Sequence, residues 1–382
     1  MDKPRSMTLK TLIPFGVSLL VALFFMARFF QLGSARVFGA GAPTSSFVRE
    51  AMYWEKSDLG VKCGLCPFNC YIPEGAKGKC RVRVNKDDVL YTEVYGQAAA
   101  LALDPIEKKP VFHMLPGSAI LSVATNGCPL KCEFCQNWTL SQTEPESMPD
   151  AEWMPPEKLV EAALEHHVPS IAYTYSEPVI FYEYMLETAK LAHEKGLRNV
   201  VVTSGYINPE PLRKLAPYLD VVKVDLKGMD PDFYRKEVGG ELSNVLATLK
   251  ILKQENILTE VVNLVVPQRN DKEEDFVKLS RWVRDNLGPD TPLFFSRFHP
   301  DYRLKYLPPT PVETLENARA IAMKEGLRYV YLGNVPGSDG ENTYCPKCHT
   351  LLIQRNGYLI LKDILKDGRC PKCGEKIPGI WK

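Results

Sequence analysis

Short apolar segments alternate with longer amphipathic segments between residues 116 and 337. The apolar segments are rich in Val, Ile, Tyr and Phe, which favours strands, and the amphipathic segments have the hydrophobic spacing of helices. The predicted strands are residues 120–125, 170–175, 199–203, 221–225, 259–266, 293–298 and 329–332, and the predicted helices are residues 156–167, 179–195, 209–216, 242–254, 273–286 and 311–324. Because strands that alternate with helices form parallel sheets, we predict an α/β fold, an open or closed barrel with functional residues at the carboxyl ends of its strands.

The N-terminal segment shows a different, continuous apolar pattern. Residues 12–27, LIPFGVSLLVALFFMA, carry no charge, and the segment extends to residue 32 if Arg28 reaches the membrane interface. At about 1.5 Å per residue, a helix over residues 12–32 is long enough to cross a hydrocarbon core of about 30 Å. We therefore predict an uncleaved membrane anchor at residues 1–35 and a linker at 36–50, with the catalytic part on the cytoplasmic side. A signal peptide cleaved after Ala40-Gly41-Ala42 and a buried helix of the soluble fold are the alternatives.

The composition is ordinary for a globular protein, with 45% hydrophobic and 24% charged residues. A net charge of +1 gives no indication of an obligatory nucleic-acid partner. The cysteines change the picture, because all 11 fall into three closely spaced groups. Such spacings are typical of metal ligands in a chain that can form its own core, whereas disulfide frameworks are typical of small secreted domains. The groups are Cys63, Cys66, Cys70 and Cys80; Cys128, Cys132 and Cys135; and Cys345, Cys348, Cys370 and Cys373.

The first and third cysteine groups each offer four thiolates, enough to complete a metal site. Residues 338–382 contain two Cys-x2-Cys pairs, which predicts a zinc-ribbon-like module in which zinc is favoured over a second iron–sulfur cluster. Residues 51–115 contain a Cys-x2-Cys-x3-Cys-x9-Cys pattern, which predicts a small Cys-rich N-terminal module. Its metal stays open at this point: either a structural zinc ion or an auxiliary iron–sulfur cluster that relays electrons or touches substrate.

The second group has only three cysteines, on the loop that leaves the first predicted strand. In NGCPLKCEFCQNW the spacing is Cys-x3-Cys-x2-Cys. A [4Fe–4S] cluster normally takes four thiolates, so three ligands leave one iron open. S-adenosylmethionine (SAM) could bind that iron through its amino and carboxylate groups, and an electron from the cluster could then break its sulfonium C–S bond to give a 5′-deoxyadenosyl radical. A zinc site with a fourth ligand elsewhere is the alternative.

The segment CPLKCEFC resembles the signature of the radical SAM superfamily. The longer string NGCPLKCEFCQNWTLSQ is similar to that of the AmmeMemoRadiSam-system radical SAM enzymes, a family related to pyruvate formate-lyase-activating enzymes, and the resemblance covers residues 51–382. It implies a partial (βα)6-type TIM-like barrel at residues 116–337. It also implies a [4Fe–4S] cluster on Cys128, Cys132 and Cys135, with SAM as the second cofactor.

The resemblance implies roles for residues at the predicted strand ends. Glu177 lies where the superfamily receives the SAM amino group, and a carboxylate can accept hydrogen bonds from an ammonium. Asp225 and Lys227 resemble an Asp-x-Lys motif that contacts ribose or an ion and pairs with the SAM carboxylate. His299 resembles a histidine near SAM, and His299 and Lys227 are the catalytic candidates. The predicted cofactor-binding residues are Phe134, Ser176, Glu177, Ser204, Gly205, Asp225, Lys227, Asn263 and His299.

Together these features predict an oxidoreductase that cleaves SAM reductively and abstracts hydrogen from an unknown substrate. A low-potential electron donor such as flavodoxin or ferredoxin is the expected partner. One alternative is a glycyl-radical-enzyme activase. An alternative of another class is a non-catalytic, membrane-tethered iron–sulfur and zinc protein that carries electrons or senses redox state, which would not need charged residues at the strand ends.

Overall fold

Strands and helices alternate along the chain in a computed structural model, which describes residues 47–148 and 151–382. The strands are β1 (Arg49–Glu50), β2 (Trp54–Ser57), β3 (Gly60–Cys63), β4 (Tyr71–Ile72), β5 (Arg83–Lys86), β6 (Val89–Thr92), β7 (Gln97–Ala98), β8 (Ala100–Pro105), β9 (Ala119–Ala124), β10 (Glu152–Trp153), β11 (Ser170–Tyr173), β12 (Arg198–Thr203), β13 (Val221–Asp225), β14 (Leu258–Val265), β15 (Leu293–Arg297), β16 (Val330–Gly333), β17 (Thr343–Tyr344), β18 (Leu351–Asn356) and β19 (Leu359–Asp363). The α-helices are Trp138–Ser141, Pro156–Glu165, Tyr182–Glu194, Pro209–Leu215, Pro231–Phe233, Leu242–Gln254, Glu273–Asn286 and Val312–Lys324, and Tyr234–Val238 is a π-helix. Turns of 3-10 helix lie at Ile106–Lys108, Pro145–Ser147, Pro178–Phe181, Ala216–Tyr218 and Asp339–Glu341.

An eight-stranded sheet forms the centre of the fold, in the order β16-β15-β14-β13-β12-β11-β9-β8. Strands β9 and β11 to β16 are parallel, and they are the seven predicted strands to within two residues at each end. Strand β8 was not predicted and pairs antiparallel with β9 at the edge. The sequence thus correctly predicted an α/β fold with a parallel sheet. The partial (βα)6-type barrel remains a prediction.

The sheet is wound in one direction, because each parallel strand lies beside the preceding one. Crossovers between parallel strands are right-handed, so this winding brings the helices to one face. Alternate residues of the strands divide accordingly. Leu121 and Val201 belong to the core that the helices cover, whereas Ala172, Val200 and Val221 belong to a second core on the opposite face.

The C-terminal strands β17, β18 and β19 form a small antiparallel sheet, and a core of aromatic residues joins this sheet to the central one. Phe112 packs against Phe294 and Tyr331 with ring centroids 4.8 and 5.0 Å apart. Arg355 of β18 is 2% exposed and donates hydrogen bonds to Phe112 O at 3.0 Å and Thr343 Oγ1 at 2.8 Å. Because a buried guanidinium needs partners, these bonds fix the small sheet in one position.

The prediction of a membrane protein is corrected. No helix within residues 47–148 and 151–382 is long and apolar enough to cross a membrane, and the predicted anchor at residues 12–32 lies outside the residues that the structure describes. The prediction rested on the apolar sequence alone. Its charge-free part, residues 12–27, is shorter than a bilayer core requires. The cytoplasmic location of the catalytic part is tested by no observation and stays a prediction.

Candidate active site

A cavity lies at the carboxyl ends of β9, β11, β12 and β13, on the side of the sheet that the helices leave free. Its volume, including its opening to solvent, is about 1650 Å³. Loops after these four strands bring together predicted residues that are far apart in sequence, because the carboxyl ends of parallel strands meet at one edge. The predicted residues that line the cavity are Cys128, Cys132, Phe134, Cys135, Ser176, Glu177, Ser204, Asp225 and Lys227.

Backbone hydrogen bonds fix the cysteine-bearing loop after β9. Lys131 N–H donates to Val238 O at 2.9 Å, and Glu133 N–H donates to Glu237 O at 3.0 Å. Both acceptors belong to the π-helix Tyr234–Val238, which follows β13. The cysteine loop is therefore held by the segment that comes after Lys227.

The three cysteines of this loop fit a metal cluster. Burial raises the pKa of the Cys128 thiol, and burial raises the pKa of Cys132 to about 12 although Lys227 lowers it. Thiols with such pKa values lose their protons at neutral pH only to a metal. Within the described parts of the chain, Cys128, Cys132 and Cys135 are not a group whose sulfurs all lie within 4.8 Å of one another. Three thiolates are one fewer than a [4Fe–4S] cluster normally takes, so they would leave one iron open.

Charged residues at the end of β13 form a linked set beside the cysteines. Asp225 is held between Lys223, whose Nζ contacts Oδ1, and Lys227, whose Nζ lies 3.2 Å from Oδ2. Burial raises the pKa of Asp225, but the two lysines lower it more, to about 2. Burial lowers the pKa of Lys227, but Asp225 and Cys132 raise it more, so this lysine stays charged. Lys223 was not predicted, although its spacing from Asp225 places both on one face of the strand.

The aromatic ring of Phe134 lies beside this charged set. It stacks on Phe233, with centroids 5.9 Å apart and planes 6° from parallel, and Lys227 Nζ lies 5.7 Å from its centroid. An ammonium at that distance from a ring is within range of a cation–π interaction. Phe134 therefore helps to position Lys227.

Glu177 is buried, and both oxygens of its carboxylate accept hydrogen bonds from neighbouring residues of the chain. Oε1 accepts hydrogen bonds from Val179 N–H at 3.2 Å and Thr203 Oγ1 at 2.6 Å. Oε2 accepts from Ser204 N–H at 2.9 Å and from the Ser204 hydroxyl. Burial raises the pKa of Glu177, and these bonds lower it in part. Because a carboxylate has about four lone-pair sites, Glu177 has none left for an ammonium in this arrangement.

Ser176 contributes an unpaired polar atom to the cavity wall. Its Oγ is buried without a hydrogen-bond partner, and buried hydroxyls are nearly always satisfied. Thr174 and Asn137 add polar groups to the cavity wall, and Val202 and Leu264 add apolar surface. A large cavity with an apolar wall and a few convergent polar groups fits a nucleoside that carries an amino-acid group, as SAM does.

Three predicted cofactor-binding residues are not among those that line the cavity. Gly205 has a φ of +72°, and a Cβ there would lie 3.0 Å from a methyl group of Val224, so its role in the structure is to form a turn. Asn263 Nδ2–H donates to Leu226 O at 2.8 Å and supports the end of β13. His299 is exposed, with Nδ1 3.0 Å from Gln136 Nε2 at the rim of the cysteine loop.

A buried ionic cluster beside the cavity was not predicted from sequence. Asp104 accepts hydrogen bonds from Lys108, Lys109 and the hydroxyl of Tyr175. Both lysines and Tyr175 line the cavity. Burial lowers the pKa of Lys109 to about 8, although Asp104 raises it. Prediction of the edge strand β8 would have indicated this cluster, because it would have placed Asp104 at the end of a strand.

The C-terminal cysteines are arranged as ligands of a single metal ion. Their four sulfurs all lie within 4.8 Å of one another, with Cys345 and Cys373 3.5 Å apart and Cys348 and Cys370 3.6 Å apart. Four sulfurs in a tetrahedron at about 2.3 Å from a zinc ion lie about 3.8 Å from one another. This group could therefore bind a metal ion.

Comparison with known proteins identifies the family. A sequence model of the radical SAM superfamily matches residues 122–283, which include the cysteine loop, Glu177, Asp225 and Lys227. An uncharacterized protein of Methanocaldococcus jannaschii is 50% identical over 334 residues, 86% of this chain and 99% of that protein. The chain belongs to the radical SAM superfamily. The narrower AmmeMemoRadiSam assignment is not tested by these matches and stays a prediction.

Named radical SAM relatives are more distant. The pyruvate formate-lyase-activating enzyme of Clostridium pasteurianum is 23% identical over 167 residues, 42% of this chain and 67% of that enzyme. The crystal structure of a radical SAM methyltransferase from Sphaerobacter thermophilus has a TM-score of 0.47 at 18% identity, and the similarity covers 68% of this chain and 79% of that one. The superfamily match at residues 122–283 and the activating-enzyme relatives make the chain an enzyme of the radical SAM class, and the superfamily implies a [4Fe–4S] cluster and SAM. The non-catalytic, membrane-tethered carrier is not supported.

Proposed function

We propose that this radical SAM enzyme binds its [4Fe–4S] cluster through Cys128, Cys132 and Cys135 and cleaves SAM in the cavity beside them. A [4Fe–4S] cluster held by these three cysteines would supply, when reduced, the electron for cleavage of the sulfonium bond of SAM, with methionine as one product and a 5′-deoxyadenosyl radical, which would abstract hydrogen from a substrate, as the other. The observation that supports this function most strongly is that three cysteines, Asp225 and Lys227 share the wall of one large cavity.

Lys227 and Asp225 hold charge at fixed positions in the proposed site. The raised pKa of Lys227 keeps its ammonium protonated near Cys132, where it stabilises thiolate charge. The same ammonium can pair with the carboxylate of SAM on the cavity side. Asp225 stays ionised between Lys223 and Lys227, so it can accept hydrogen bonds from ribose hydroxyls.

Glu177 acts in this proposal as a positioning residue. Its four accepted hydrogen bonds tie the loop after β11 to Thr203 and Ser204 after β12. That connection places the buried Ser176 hydroxyl at the cavity wall. The ammonium of SAM would then be received by Ser176 and neighbouring groups, with the Glu177 carboxylate behind them.

The mouth of the cavity is shaped by the C-terminal hairpin. Gly357 and Tyr358, in the turn between β18 and β19, line the cavity together with Asn334 after β16. Tyr358 is 48% exposed, so it presents an aromatic surface to whatever enters. We place the substrate between this hairpin and the SAM site.

The test is an anaerobic assay of the reconstituted protein with dithionite and SAM, in which 5′-deoxyadenosine is measured. The parent is expected to form the product, and Cys132→Ala is expected to lose it together with cluster iron. Met323→Ala is the control, because this sulfur-containing side chain is 44% exposed on the helix Val312–Lys324, away from the cavity. The absence of product from a parent that carries its full cluster iron and is supplied with dithionite and SAM would contradict the proposal.

A second candidate is a glycyl-radical-enzyme activase, because several relatives are named as activating enzymes. The match to the pyruvate formate-lyase-activating enzyme leaves out more than half of this chain, since it covers 42%. Incubation of the loaded enzyme and SAM with pyruvate formate-lyase would give the radical signal of a backbone glycine in paramagnetic resonance. The absence of that signal would count against pyruvate formate-lyase as its partner.

For the C-terminal cysteines we propose a structural zinc ion. The sulfur spacing is that of a closed four-thiolate site, and a module of this size gains much of its stability from such an ion. Zinc would persist in protein from which the iron has been removed. Iron without zinc in this module would contradict the assignment.

A further inference from the structure

Two lysines line the SAM cavity on the side of the edge strand β8. Lys108 ends the 3-10 turn Ile106–Lys108, and Lys109 follows it. The side chain of Lys109 is 2% exposed, whereas that of Lys108 is 43% exposed. Both ammonium groups contact the carboxylate of Asp104, near the end of β8. A buried lysine needs a partner for its charge, but here two positive charges share one negative charge.

The neighbouring charged set at the end of β13 has the same imbalance. Lys223 and Lys227 share the carboxylate of Asp225. The positive charge of Lys223 contributes, after the larger effect of burial, to the lowered pKa of Lys109, so the two sets are close enough to repel each other. Four ammonium groups and two carboxylates leave a surplus of two positive charges. The carboxylate of SAM accounts for one of these charges in the proposed function.

The other acidic residues that line the cavity are directed to other partners. Glu177 accepts four hydrogen bonds, as described above. Glu107 Oε1 lies 3.9 Å from Arg355 Nε, and Glu341 Oε2 accepts from Gly357 N–H at 3.1 Å. These carboxylates therefore do not cancel the positive surplus at the lysines. The contact of Glu107 with Arg355 also places the lysine-bearing turn beside the β18–β19 hairpin, where we place the substrate.

Tyr175 connects the lysines to the SAM site. Its hydroxyl donates to Asp104, and Lys109 Nζ lies 4.2 Å from the centroid of its ring. Its φ is +62°, a conformation that is uncommon for residues other than glycine and is concentrated at functional sites. Ser176, the next residue, supplies the unpaired hydroxyl at the SAM site. An anion bound by the lysines would therefore lie next to SAM.

We propose that Lys108 and Lys109 bind an oxyanion of the substrate, either a carboxylate or a phosphate. A lysine ammonium is a compact charge with three N–H donors, so it can contact a substrate anion while it keeps its bond to Asp104. Lys108, which is partly exposed, meets the anion as it enters, and the buried Lys109 gains a second negative partner. The inference rests on the proposed function, because it places the anion beside SAM and names the substrate class of that reaction.

The first test measures anion binding to the full chain after anaerobic reconstitution, with SAM present and without a reductant, so that SAM is not cleaved. The probes are inorganic phosphate and acetate at constant ionic strength, and broadening of their phosphorus and methyl-proton resonances reports binding. At least one probe is expected to bind as well with SAM as without it, and the tighter probe distinguishes a phosphate-bearing substrate from a carboxylate-bearing one. Failure of both probes to bind, or their displacement by SAM, would overturn the inference.

The second test assigns the bound anion to the lysines. Lys108→Met removes one charge-assisted contact and should weaken probe binding about 10- to 100-fold. Lys109→Met/Asp104→Asn removes the buried ion pair as a unit, so no unpaired charge is left behind, and it should weaken binding at least as much. The control is Lys324→Met, an exposed lysine at the end of the helix Val312–Lys324. Calorimetric melting reports that each variant is folded.

The outcomes separate this inference from the proposed function. Unchanged probe binding in both folded lysine variants, or an equal loss in Lys324→Met, would overturn the assignment to Lys108 and Lys109. A parent that forms 5′-deoxyadenosine but binds neither probe would contradict the oxyanion site alone. A parent that binds a probe with the expected losses in the variants but forms no 5′-deoxyadenosine would support the oxyanion site and contradict SAM cleavage.

Discussion

Replacement of Glu177 by glutamine tests whether this residue positions the site or binds SAM directly. The glutamine carbonyl can take over only two of the four hydrogen bonds that the carboxylate accepts. The Thr203 and Ser204 hydroxyls can rotate to accept from the new amide. One backbone N–H, that of Val179 or Ser204, then loses its acceptor whichever way the amide is turned.

The magnitude follows from that single unsatisfied donor. Leaving a buried N–H unpaired costs about 1–3 kcal/mol, which in a chain of this size lowers the melting temperature by a few degrees. The Ser204 hydroxyl also donates to Glu177 Oε2, so Ser204→Ala removes part of the same hydrogen-bond network. The double variant Glu177→Gln/Ser204→Ala should therefore be more stable than the sum of the two single losses predicts.

The assay is calorimetric melting of the parent, the two single variants and the double variant, together with a measurement of the KM for SAM. We expect coupling of at least about 0.5 kcal/mol between the two positions. A variant that melts like the parent but has a strongly raised KM for SAM would refute the reasoning, since it would show Glu177 in direct contact with the ligand. Additive losses of stability in the double variant would likewise show that Glu177 and Ser204 do not share one hydrogen-bond network.

Three further predictions concern stability. Burial raises the pKa of Glu260 from 4.5 to about 7, so between these pH values the folded state keeps a proton that the unfolded chain releases. The free energy of unfolding should therefore fall by about 3 kcal/mol as the pH rises from about 4.5 to 7. Glu260→Gln should make the melting temperature less dependent on pH over that range, and an unchanged pH profile would show that Glu260 is not the cause. Glu183→Leu leaves Arg83 buried without its carboxylate partner, which should lower the free energy of unfolding in denaturant by about 3–5 kcal/mol. The double variant Glu183→Leu/Arg83→Met should recover part of that loss. Equal stability of the single and double variants would argue against the ion pair. Removal of zinc by a chelator should abolish hydrogen-exchange protection in β18 but not in β12, and protection that persists in β18 would count against a structural ion.

The central sheet was predictable because its signals are local. Each parallel strand is buried on both faces and reads as a continuous apolar segment between amphipathic helices, so β13 and the helix Leu242–Gln254 were predicted to the residue. Strand β8 was missed because its sequence, ALALDP, alternates leucine with alanine, and alanine is depleted in strands. The predicted membrane anchor lies outside the residues that the structure describes, and no helix within those residues is long and apolar enough to cross a membrane.

The candidate site was predictable only in part. Motif spacing and strand ends predicted Cys128, Cys132, Cys135, Asp225 and Lys227, and the structure brings these five residues to the wall of one cavity. Asn263 and His299 were assigned by resemblance and do not line that cavity; Asn263 donates to Leu226 O, His299 contacts Gln136, and their roles stay predictions.

The sequence by itself determined the kinds of ligand and the order of the elements, since cysteine spacing and hydrophobic period are properties of neighbouring residues. Only the tertiary structure decided which side chains already have hydrogen-bond partners and which sulfur atoms lie close together. The carboxylate of Glu177 accepts hydrogen bonds from Thr203 and Ser204 of the next loop, and the sulfurs of Cys345, Cys348, Cys370 and Cys373 all lie within 4.8 Å of one another. Hydrogen-bond saturation and the distance between sulfurs depend on contacts between distant segments, and one-dimensional spacing does not contain them.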